Sequence, residues 1–161
     1  MAISTFDGPV RSLNGFYSQG PGNVVAVTAS TTLTVAEHAG KVIKVGGTLA
    51  SNIVLTLPAI NTSASSPVAG PGTDPNTLNN QGAVFTIWVD ATVATSSVKI
   101  GTNGTDKFIG SVLSIDSDTS GAMAGFIPGA TNDYINLNGS TTGGVVGTCI
   151  TITSLTTNKY M

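Results

Sequence analysis

One histidine (His38), one cysteine (Cys149) and one glutamate (Glu37) are the residues of this 161-residue chain best suited to acid–base or nucleophilic chemistry. Seven aspartates accompany them. A general base needs a nucleophile or a proton within hydrogen-bond reach, and the spacing brings none near His38. The stretch Ala36-Glu37-His38-Ala39-Gly40 reads instead as a solvated connection closed by glycine. Cys149 sits among β-branched neighbours with no cation close in sequence. That is the setting of a small buried apolar residue rather than an activated thiolate. As the only cysteine it makes neither an internal disulfide nor a thiolate zinc site. Asp116-Ser117-Asp118-Thr119 offers hard oxygens, but a calcium loop brings more oxygens at fixed spacing, with a bidentate acid. Aspartates that bond their own turn backbone are the simpler reading. Gly143, Gly144 and Gly147 lack the lysine and the helix of a phosphate loop and read as turn glycines. Asn-X-Ser/Thr triplets begin at Asn61, Asn103 and Asn138, no more than so much Asn, Ser and Thr yields by chance. The chain therefore reads as non-enzymatic, with no metal and no cofactor.

Composition points the same way. Charged residues are 9% of the chain, with six Lys+Arg against eight Asp+Glu. Such sparse positive charge makes no nucleic-acid footprint. No apolar run approaches the ~20 residues of a transmembrane helix, so no membrane partner is expected. Gly, Thr, Ser and Asn together supply 72 of the 161 residues. The uncharged polar, β-branched balance is that of a structural or interaction protein.

The elements follow a strand period from Asn23 onward. Segments 23–29, 31–35, 41–45, 52–58, 83–91 and 97–101 are short β-branched runs bounded by Gly, Pro or Asn. Segment 106–116 reads as one bent strand or two short ones around Gly110. Weaker runs cover 121–130 and 133–139, and 145–155 closes the set. In 83–91, Phe85, Ile87 and Val89 share the face predicted to be core, opposite Val84, Thr86 and Trp88. No helix is predicted. Strands at this spacing predict an all-β single domain over 23–161, an antiparallel β-sandwich or a jelly-roll/barrel-like fold.

Two segments stand apart. Residues 59–82 form a long irregular loop rich in Pro and Gly. Residues 1–22 carry breakers at Gly8-Pro9, Asn14-Gly15 and Gly20-Pro21, yet hold Phe6, Phe16 and Tyr17 and the only arginine, Arg11. Ordering such aromatics requires somewhere to bury them. An extended N-terminal arm is therefore expected to dock on a partner or a neighbouring subunit through Phe6, Arg11, Leu13, Phe16 and Tyr17.

Three stretches resemble virion structural proteins of tailed bacteriophages. The first is the arm, Phe6-Asp7-Gly8-Pro9-Val10-Arg11-Ser12-Leu13-Asn14-Gly15-Phe16. The second runs from Leu33-Thr34-Val35 through the turn Gly40-Lys41 and a strand ending in Leu57-Pro58 to the Gly-led strand Gly82–Val89. The third is Tyr134-Ile135-Asn136-Leu137-Asn138-Gly139, then a glycine-rich turn and a last strand. The resemblance is greatest to small capsid decoration (cement) proteins. It implies a homotrimer on the outer surface of the phage head, with the major capsid protein as partner. A receptor- or carbohydrate-binding domain of a fibre or tail is the alternative; the absence of Trp and Tyr from loop 59–82 counts against it.

Overall fold

The computed structural model describes residues 21–46, 52–62, 79–91, 93, 97–114 and 124–161. The arm residues Phe6, Arg11, Leu13, Phe16 and Tyr17 lie outside the described residues, as do Asp116, Asp118 and the middle of loop 59–82. A 3-10 turn at Pro21–Asn23 leads into β1 (Val24–Val27) and β2 (Thr31–Thr32). One helical turn, α1 (Val35–His38), follows, then β3 (Val42–Val45), β4 (Ile53–Thr56), β5 (Val84–Val89) and β6 (Val98–Gly101). The second half adds β7 (Lys107–Phe108), β8 (Val112–Ser114), β9 (Ala124–Phe126), β10 (Tyr134–Leu137), β11 (Cys149–Thr156) and β12 (Lys159–Tyr160).

The fold is β-rich, but its sheets are mixed rather than antiparallel. Six strands pair in the order β1-β3-β5-β11-β12-β7, four in the order β10-β6-β4-β2, and β8 with β9 alone. Successive strands from β1 to β6 alternate between the two larger sheets. Strands of one sheet are thus separated by an excursion through the other and run the same way: β1, β3 and β5 are parallel, as are β2, β4 and β6. A parallel neighbour needs such a crossover, whereas a hairpin gives an antiparallel one. Antiparallel pairing enters only when β10 returns along β6, β11 along β5 and β12 along β11, and within β8–β9.

Strand alternation supplies the core. Phe85, Ile87 and Val89 are buried as their period predicts, with Ile43 and Val45 of β3 and Ile150 and Ile152 of β11. Ile53 and Leu55 of β4, Val98 and Ile100 of β6 and Leu137 of β10 join the same apolar cluster. Each fully buried side chain of this kind contributes about 1.5–3 kcal/mol.

Two local expectations are corrected. The run 31–35 does not stay extended. The Thr34 hydroxyl accepts the Glu37 N–H (3.3 Å) and caps a helical turn. His38, at the end of that turn, is buried rather than solvated, and its Nδ1 accepts the Thr34 N–H (3.0 Å). The imidazole serves the cap.

The ends of loop 59–82 are fixed by a buried asparagine. Asn80 donates its Nδ2 to the Ala59 C=O (2.8 Å) and accepts the Asn61 N–H on Oδ1 (2.8 Å), while its own C=O accepts the Ser154 hydroxyl. Nearby, the buried Tyr160 hydroxyl donates to the Pro58 C=O (2.6 Å), and Asp106 accepts the Ile60 N–H (3.0 Å). Burial first, and the negative charge of Asp106 second, hold the Tyr160 hydroxyl well above its ordinary ionisation range. Its folded pKa lies above its unfolded value of about 10. The stability this provides is complete below about pH 10 and is lost as pH rises beyond it. Tyr160→Phe should cost about 1–2 kcal/mol at neutral pH, since it strands the Pro58 carbonyl. It should also flatten the alkaline fall in stability. Urea unfolding from neutral to strongly alkaline pH measures both.

A candidate binding groove

The cysteine expected to be buried is exposed. On β11 the even residues Ile150, Ile152 and Ser154 face the core, which turns the Cys149, Thr151 and Thr153 side chains outward. Cys149 borders a groove of about 810 Å³, within the range of ligand and peptide sites. One wall is β10, with Tyr134, Asn136 and Leu137; the other is the first half of β11 with the preceding turn, Val145 to Thr148. The β8–β9 hairpin forms the rim with Val112, Leu113 and Phe126, continued by Ile127.

Exposed apolar side chains concentrate here. Of the ten large hydrophobic residues exposed among the described residues, all but Val24 and Val54 line this groove. Leu113 is 61% exposed and Ile127 83%. No residue lining it is charged. Scattered exposed hydrophobics are ordinary on a protein surface, but a contiguous set marks a contact surface. The β10 wall also holds an unpartnered polar atom: Asn136 Oδ1 is buried without a hydrogen-bond donor. A buried acceptor without a partner costs about 1–3 kcal/mol, a cost that a donor brought by an occupant would remove.

Three lysines are engaged with partners of their own. Lys44 pairs with Asp90 (2.7 Å) and lies over the Trp88 ring, covering the outer face of β5. Lys107 reaches Asp133 (3.3 Å). Lys99 sits over the Tyr134 ring at the edge of the groove (5.2 Å). Among the described residues no cluster of three His, Cys, Asp or Glu side chains could hold a metal ion, and no helix is long and apolar enough to cross a membrane.

Sequence reasoning placed the contact residues on the arm and did not find the groove. Its lining comes from four separate stretches, each an unremarkable strand or turn by itself. The weak run 121–130 held the only signal, since Phe126, Ile127 and Pro128 follow one another without a polar residue between them.

These features define a β-rich chain with an open, uncharged apolar groove. No protein-family model, no curated protein and no solved structure matches it.

Proposed function

We propose that this chain is a virion structural protein, a capsid decoration protein that sits as a homotrimer on the outside of a phage head. Its partner is the major capsid protein. It stabilises contacts between neighbouring capsomers without catalysis, cofactor, nucleic acid or membrane. The observation that carries the reading is the concentration of exposed apolar residues along one uncharged groove, the surface of a protein whose work is contact. The resemblance of the arm, of the Leu33–Val89 stretch and of Tyr134–Gly139 with the glycine-rich turn and strand that follow to phage virion proteins supplies the setting. The two larger sheets, which share one core cluster, support a two-layer sandwich as the finer description of the fold.

The physics suits the role. A capsid lattice strained by packed DNA gains stability from any protein that binds only its expanded state, by mass action. The buried area adds along every contact, and aromatic and arginine anchors carry most of the energy. In this reading Phe6, Arg11, Leu13, Phe16 and Tyr17 of the arm are those anchors toward the capsid. Deleting residues 1–22 should abolish binding to undecorated heads while leaving the circular dichroism and the cooperative melt of the remainder in place. Equal binding by the truncated chain would remove the arm from the account.

A further inference from the structure

The walls of the groove are strand edges. β10 is the end strand of the four-stranded sheet, paired with β6 on one side only. The Thr102 N–H donates to the Asp133 C=O (2.8 Å). Alternation along an antiparallel ladder then turns the backbone N–H and C=O of Ile135 and Leu137 toward β6 and those of Tyr134 and Asn136 away from it. On the opposite wall, the Val89 N–H donates to the Thr148 C=O (2.9 Å) and the Ser154 N–H to the Ala83 C=O (2.9 Å). The even residues of β11 therefore bond β5, and the odd ones point away. Thr153 is paired on that far side, where its C=O accepts the Met161 N–H (2.9 Å). Among the described residues no strand pairs with Cys149 and Thr151 on that far side, away from β5. Tyr134, Asn136, Cys149 and Thr151 all line the groove. Two open edges thus face one apolar space, and an open edge is a template for another strand.

We propose that the groove receives an extended strand from a second copy of this chain, donated by the β8–β9 hairpin of that copy. The inference rests on the reading above for the number of copies. The choice of occupant rests on chemistry. A two-stranded sheet without a third strand is marginal in water, and this one exposes Leu113 and Phe126, with Ile127 beside them. Donor and acceptor are matched in being uncharged and apolar, and with a net charge of −2 two copies repel little. The hairpin also rims the groove of its own copy, so giving and receiving take place on one face of the chain.

The test uses the full chain in solution. Sedimentation over a wide concentration range reads assembly, and amide exchange reads the edges. Assembly should slow exchange at Tyr134, Asn136, Cys149 and Thr151 relative to the diluted monomer. Tyr134→Pro removes an outward N–H at the first residue of a strand, where proline is tolerated. It should weaken assembly at least tenfold, and Tyr134→Ala, which keeps the N–H, should weaken it less. Should the proline variant fail to fold, the exchange measurement on the unaltered chain decides. A monomer at every concentration, assembly with the four amides still exchanging freely, or equal effects of the two variants would overturn the proposal. Protection that appears only when purified heads are added would also overturn it, by giving the groove to the capsid, and would leave the decoration reading intact. Groove-mediated assembly by a chain that ignores heads would do the reverse.

Discussion

Gly139→Ala should destabilise the chain by about 4 kcal/mol or more, the range reserved for a steric clash in a closely packed site. Gly139 has φ +74° and follows β10 in the turn that leads to the groove wall. A Cβ built there would lie 1.6 Å from the Val93 carbonyl oxygen, with backbone rather than a yielding side chain in the way. The clash is held from both sides. The Gly139 N–H donates to the Gly143 C=O (2.7 Å), and the Val93 N–H donates to the Gly144 C=O (3.0 Å). Neither segment can retreat without breaking one of these bonds. Gly104→Ala is the control. Gly104 has φ +89° but open space around its Cβ position, so the left-handed backbone costs about 1–2 kcal/mol and nothing more. Thermal melts of the two variants separate clash from backbone strain. The Gly139 midpoint should fall by roughly 10 °C and the Gly104 midpoint by a few degrees. Similar falls for both would mean that the Val93 contact is not as close as described.

A charge in the groove should act on association and leave folding alone. Leu113 and Ile127 are largely exposed, so Leu113→Asp and Ile127→Asp remove little buried area from the isolated chain. Their melting midpoints should stay within a degree or two of the parent, as for surface substitutions worth less than about 0.5 kcal/mol. Contact through the groove, in contrast, would bury the new carboxylate among uncharged neighbours. The loss should reach about 2 kcal/mol or more, roughly thirtyfold in dissociation constant. Sedimentation of each variant beside the parent measures it. Unchanged association by both variants would free the groove from any role in contact, whatever the occupant.

How much of this was legible in the sequence depends on the scale of the feature. Period-2 alternation identified Phe85, Ile87 and Val89 as core, and all three are buried. Gly110, with φ +91°, divides β7 from β8, one of the two readings of segment 106–116. Strand direction was not legible, because short strands at even spacing look alike whether the chain turns back in a hairpin or crosses to a second sheet. The connections from 45 to 53 and from 56 to 84, both longer than a two-residue hairpin loop even with Gly46-Gly47 in the first, were the available hint. Cys149 and His38 failed for opposite reasons. Cys149 sits on the outward phase of β11 even though its neighbours are apolar or β-branched. His38 gained burial from a one-turn helix that only its Thr34 cap predicts. The groove was illegible because it is made of edges: whether Tyr134 or Thr151 has a neighbouring strand is a property of topology, not of residue type.

The most direct test of the central claim is the copy number of this chain in purified virus particles, counted against the major capsid protein. The account predicts a ratio near one, as a protein covering the head requires. A handful of copies per particle would contradict it in favour of a fibre or tail position, and absence from the particles would remove the virion reading altogether.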